Sequence, residues 1–306
     1  MVIESIINPT NAEKHPWELL FIGFLYASIS VIFSLWIFKD QASLIMVFLT
    51  SLVAVPLVYA TFKLEEKKDT IYKGERSLLK QHSRAIEFLL FLFIGFILAF
   101  TLFYLLLPSD LSKALFSVQT STIDSINSRV SGNSVFGAFT LNRDFTSDTL
   151  KTDLTSAILN SSFFMSIFSN NIKVLLFSFF FSFFYGMGAI FILTWNATVI
   201  SAAIGNYFRN AIANYAGIFG FSSIFSYFHV FSLSIMRYMT HGIFEIAAYF
   251  IAGLAGGIIS FGIINHDFKS ESFKNVLFDS LSLMMLALVI IFVAALVEVY
   301  ITPAIF

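Results

Sequence analysis

The chain has 306 residues, 58% of them hydrophobic, 18% aromatic and only 12% charged, with a mean hydropathy of +0.84, a mix that belongs to a polytopic membrane protein and not to a soluble domain. A formal net charge of −1 offers no basic field to draw in nucleic acid, which excludes that class of partner. Without any cysteine there is no disulfide framework, no thiolate nucleophile and no thiolate metal site.

A hydrocarbon core of about 30 Å takes about 20 apolar residues in a helix, because open strands and loops leave backbone groups unsatisfied in lipid. The opening stretch "MVIESIINPTNAEKHPWELL" has neither a basic leader nor a small-residue cleavage site, so the first span is expected to be an uncleaved anchor. In chain order the clear spans are Trp17 to Phe38, Ala42 to Phe62, Ala85 to Leu107 and Ile172 to Trp195. Asn196 to Thr240 carries Arg209, His229 and Arg237 among glycines and serines, and reads as one long kinked crossing or as two half-helices. Gly242 to Ile264 and Asn275 to Tyr300 complete the set. The fold class is therefore all-α, with about seven transmembrane helices. The 40 phenylalanines read as lipid-facing bulk.

Seven bases (Lys63, Lys67, Lys68, Lys73, Arg76, Lys80 and Arg84) crowd between the second and third spans, and the positive-inside rule places residues 63–84 in the cytoplasm. The N-terminus is then inside and the Ser/Thr/Asn-rich stretch 108–171 outside. The short loop with Lys269 and Lys274 falls inside, and the C-terminus outside.

With that topology several polar residues are expected at one depth. Asn170 and Asn171 open the fourth span, His241 and Glu245 open the sixth, and Glu298 lies near the outer end of the seventh. His241 and Glu245 are four apart, hence on one helix face and separated by about 6 Å along the axis. Two readings compete: interhelical glue, or a proton, ion or metal site open to the outer face. The run "HGIFE" lacks the second histidine of a zinc-protease HExxH, no G-x-S-x-G elbow or phosphate-binding loop appears, and neither metal, cofactor nor catalytic residue is expected. His82, His229 and His266 look isolated, while Glu87 and Asp279 read as interface residues. Gly253 and Gly257 form a GxxxG pair beside Gly256 and Ala252, and Gly186 and Gly188 offer a smaller surface of the same kind. Such faces serve packing within the chain or, alternatively, a homodimer.

The succession "NNIKVLLFSFFFSFFYGMGAIFILTWNATVISAAIG", "HGIFEIAAYFIAGLAGG" and "AALVEVYITP" resembles the stage II sporulation protein M family of integral membrane proteins, over residues about 85–306. The resemblance implies a five-span core at 85–306, including the external segment 108–171, preceded by a two-helix hairpin at 1–84. It also implies a role like that of the sporulation member, which gathers partners that remodel peptidoglycan, although relatives occur in organisms that make no spores. From sequence the expected function is a non-enzymatic scaffold in the plasma membrane, with the lipid bilayer and other envelope proteins as partners. The alternative is a transporter or channel component that uses the Asn/His/Glu residues.

Overall fold

The structure, a computed structural model, describes residues 15–71, 75–132, 149–183, 187–219 and 224–305. In chain order the helices are α1 (Glu18–Ile37), α2 (Ala42–Ile71), α3 (Glu75–Leu106), α4 (Ser109–Leu115), α5 (Ser117–Gly132), α6 (Thr149–Phe181), α7 (Met187–Phe219), α8 (Ile224–Asn265), α9 (Glu271–Leu296) and α10 (Thr302–Ile305). A 3-10 turn at Lys39–Gln41 joins α1 to α2, and a π-helical turn at Val297–Ile301 joins α9 to α10. Among the described residues there is no strand, and seven helices are long and apolar enough to cross a membrane.

The count of seven matches the hydropathy reading, but two boundaries do not. The apolar run Ile172 to Trp195 is not one span: it holds the end of α6, a turn after Phe181 and the start of α7, with the spans at Phe163–Phe181 and Ala189–Ile212. Hydropathy misses this turn because "SFFYGMG" is itself apolar. The turn survives there because its polar groups find partners. The Ser182 and Phe183 amides bond the carbonyls three residues back, at 3.2 Å each, and Ser260 Oγ on α8 donates to the Phe183 carbonyl at 3.0 Å.

Nor is Asn196 to Thr240 a single crossing or a pair of half-helices; it divides between the rear of α7 and the front of α8. In α8 the hydroxyls that interrupt the apolar pattern bond back to their own helix, Ser234 Oγ to the Val230 carbonyl (2.7 Å) and Thr240 Oγ1 to that of Met236 (2.6 Å). The 42-residue helix that results is about 63 Å long, well over a bilayer's thickness.

α8 is the central post, touching α2, α3, α6, α7 and α9. α1 lies at the edge against α2 and α3. Its approach to α3 is set by two glycines, since a Cβ on Gly23 would fall on the Leu92 carbonyl and one on Gly95 on the Leu20 carbonyl. The proposed division at residue 84 falls inside α3, and both preceding helices pack against the rest of the bundle. Many phenylalanines are not lipid-facing. Phe88, Phe93, Phe96 and Phe100 on α3 are fully buried, with Phe93 edge-on to Phe250 of α8. A helix at the centre of a bundle fills space with the same residues that a peripheral helix shows to lipid, and composition does not separate the two.

After α3 the chain folds back onto the bundle. Leu115 of α4, Phe116 at the junction and Gln119 of α5 have no exposed surface. Gln119 Nε2 donates to the Ser43 carbonyl (3.3 Å) and to Thr198 Oγ1 (3.2 Å), while its Oε1 accepts from Ser43 Oγ (2.6 Å). Beside it Arg209 of α7 donates to the Tyr104 carbonyl and lies over the Tyr104 ring at 4.6 Å, holding the end of α3 to α7.

Candidate functional site

Stepping by four along α8 from Arg237 gives His241, Glu245 and Tyr249, one face of the helix over about 18 Å. Against this stripe lie α6, bringing Asn171, and the turn that follows α9, bringing Glu298 and, at the start of α10, Thr302. The geometry of α9 there has a local cause. Pro303 has no N–H for the Val299 carbonyl, so the ladder shifts, with the Thr302 amide bonding the Val297 carbonyl five residues back. In this widened turn Glu298 and Thr302 both reach His241.

The contacts form two groups along the stripe. Tyr249 Oη donates to Asn171 Oδ1 at 3.1 Å, and Asn171 Nδ2 donates to Glu245 Oε1. Glu298 Oε1 lies 3.9 Å from His241 Nε2, and His241 Nδ1 lies 3.2 Å from Thr302 Oγ1. The Thr302 hydroxyl gives its hydrogen to the Val297 carbonyl at 3.2 Å. Tyr249, Asn171 and Thr302 are buried, whereas the Glu298 side chain keeps 29% of its surface.

The structure thus brings Asn171, His241, Glu245 and Glu298 to one region, but not Asn170, which is exposed on α6. Nor do these residues open their helices. Asn171 lies mid-way along the span Phe163–Phe181, and α8 begins 17 residues before His241, because the helices extend through polar sequence that tertiary partners satisfy. Continuing the four-residue spacing by one step in either direction would have found Arg237 and Tyr249. Thr302 comes from another helix and leaves no local signal.

The same face of α8 then turns to glycine. A Cβ on Gly253 would find only ordinary contact, 3.5 Å from Ala189 of α7 and from Ser182 in the turn after α6. A Cβ on Gly256 would fall on the Phe179 carbonyl of α6, and one on Gly257 on the Phe62 ring of α2. These glycines are spent on packing within the chain, so this surface is not free for a second copy. Gly188 lies in the first turn of α7, and Gly186 lies outside the described residues.

A second polar centre joins the ends of α2, α3 and α8, where adjacent glutamates take separate histidines. His82 Nδ1 is 2.7 Å from Glu65 Oε2, and His266 Nε2 is 2.8 Å from Glu66 Oε1, with both glutamates buried. His82 and His266 are therefore not isolated, as their sequence context suggests. Their partners are 17 and 200 residues away in the chain. Among the described residues no group of three His, Asp or Glu side chains is arranged to hold a metal ion.

A family model described as SpoIIM, stage II sporulation protein M, matches residues 85–303. The chain belongs to the stage II sporulation protein M family. No curated protein and no solved structure matches it. The stretch matched by the stage II sporulation protein M model begins within α3 and ends at Pro303, so it takes in the whole seam of α6, α8 and α9 together with the proline that shapes it. The helices α1 and α2 precede the match, yet they supply Gly23, Phe62 and Ser43 to the packing described above.

Proposed function

We propose that this multi-pass membrane protein is a non-enzymatic scaffold of the plasma membrane that holds other envelope proteins in place. In this reading the basic stretch between the spans of α2 and α3 faces the cytoplasm, the stretch from 108 to the start of the span Phe163–Phe181 faces outward, and the C-terminus is outside. The observation that supports it best is the docking of α4 and α5 onto the bundle. A buried glutamine bonded to two helices, next to the fully buried Leu115 and Phe116, gives the first part of the exported segment a rigid mount. Exported segments on rigid supports are the usual carriers of recognition. The exposed Ser121 and Asp124 of α5 then face the partners.

Photo-crosslinking groups at Ser121 and Asp124 test the assignment in intact cells. Adducts with a second membrane or envelope protein are expected, and Gln119→Leu, which loosens the mount, should reduce them several-fold. The transport reading draws on the polar seam, which crosses about 18 Å of α8. It predicts a solute or proton flux in liposomes that Glu245→Gln abolishes, and such a flux would replace the scaffold assignment.

A further inference from the structure

We propose that the outward face of α6 is a docking site within the membrane for a transmembrane helix of another protein, one that carries an aspartate or glutamate at the depth of Lys173. This site rests on the scaffold reading and specifies the chemistry of one partner.

Two consecutive asparagines divide α6 into two faces. Asn171 is buried with Leu175 and Ser178 against the bundle, where Tyr249 and Glu245 bond its amide. On the opposite side, steps of three and four lead from Ser166 through Ser169, Asn170 and Lys173 to Phe177 and Phe180, all of them exposed over about 21 Å of helix. Only 17% of the span Phe163–Phe181 is buried, the smallest share of the seven, so this side has no cover from its own chain. Among the described residues none of the four polar side chains has a hydrogen-bond or ion-pair partner. Other hydroxyls on the spans bond back to their own helix, as Ser28 Oγ does to the Phe24 carbonyl at 2.6 Å; Ser166 and Ser169 do not.

Lys173 decides the class of occupant. It lies ten residues from one end of the span and eight from the other, about 15 and 12 Å along the axis, farther than its four-carbon stem extends toward either surface. A charged side chain left in lipid is costly, and ionisable residues within spans ordinarily pair with one another. A helical side chain leans toward the N-terminal turn, which carries Lys173 over Ser169 and Asn170 and gathers cation, amide and hydroxyls into one patch. The complement of that patch is a carboxylate with hydrogen-bonding neighbours, while Phe177 and Phe180 offer the same helix an apolar shoulder. A second copy is a poorer occupant. A two-fold axis along the membrane normal sets equal depths opposite each other, so paired α6 faces would oppose Lys173 to Lys173.

The test places photo-crosslinking groups in the full chain in intact cells, at Met165 and Phe177 on either side of the patch and, as a control, at Leu25 on the exposed side of α1. Both α6 positions should give an adduct with one protein, and the attached peptide should lie in an apolar segment that holds an Asp or Glu; Leu25 should meet lipid. Lys173→Leu should reduce the adduct several-fold and Lys173→Arg should keep it, with the melting temperature of the purified chain unchanged by either, since Lys173 bonds nothing in its own chain. Replacing the partner's acid by lysine should remove the adduct, and Lys173→Glu in that background should restore it. An adduct indifferent to Lys173→Leu, an attached segment without an acid, a failure of the charge swap, or an adduct with a second copy would each overturn the proposal. Lipid adducts alone at Met165 and Phe177, with protein adducts still formed at Ser121, would overturn this site and leave the scaffold reading standing; no protein adduct at any of the three would remove both.

Discussion

The two halves of one α8 face hold their neighbours by different means. From Arg237 to Tyr249 the helix meets α6 and α9 through hydrogen bonds, and from Gly253 to Gly257 it meets α6, α7 and α2 through the absence of side chains. Lipid tails are as apolar as leucine, so the hydrophobic effect gives helices in a bilayer little reason to choose one another. What remains is hydrogen bonding and close packing. α8 uses the first where side chains reach across the gap, and the second where the gap closes to backbone contact. The polar half depends on donors meeting acceptors, whereas the glycine half depends on volume alone.

Substitutions at four positions sharpen that contrast. The largest effect is expected for Gly256→Ala, because the added methyl would meet the backbone of α6 at Phe179, which moves only with its whole helix. A loss of about 3 kcal/mol, seen as a collapsed melting transition in detergent, fits overpacking without relief. Gly257→Ala should cost less, about 2 kcal/mol, since its obstacle is the Phe62 ring; trimming that ring in a Phe62→Leu background should recover part of the loss. Recovery of the same size for Gly256→Ala in that background would break the distinction between ring and backbone.

In the polar half Glu245→Ala leaves the Asn171 amide without its acceptor, and an interhelical bond of about 0.6 to 1.7 kcal/mol sets the expected loss. Glu245→Gln should retain most of the stability in the same melting assay. An equal loss in both would mean that charge, and not bonding, holds the seam. Smallest of all is Gly253→Ala. Its methyl would find neighbours at 3.5 Å, ordinary contact, and alanine favours a helix over glycine by about 1 kcal/mol, so neutrality or slight stabilisation is expected. A marked loss there would show that the GxxxG spacing matters where measured clearance says it does not.

Much of the seam was legible in sequence because helical periodicity is a local property. The i,i+4 spacing of His241 and Glu245 put them on one face before any fold was known, and the small residues after them marked a place of close approach. The number of spans was legible too, since it follows from how many stretches lipid will accept as helix. Where those stretches end was not. The turn after Phe181 is as apolar as the helices it joins, and its backbone is satisfied by Ser260 from α8, so nothing in the hydropathy records it. Likewise the front of α8 carries enough polar residues to look like a break, yet it stays helical because Arg237 finds the Tyr207 ring and its hydroxyls bond their own helix.

Sequence by itself determined that the chain is helical, crosses a membrane about seven times and carries a histidine and a glutamate on one face, because composition and a period of 3.6 act over neighbouring residues. Tertiary structure alone decided that Asn171 meets Glu245, that Glu298 joins them through a turn widened at Pro303, and that Glu65 and Glu66 take different histidines. Each of those pairings spans between 17 and 200 residues. At such separations the choice of partner rests on which helices pack together, and that depends on the whole bundle at once.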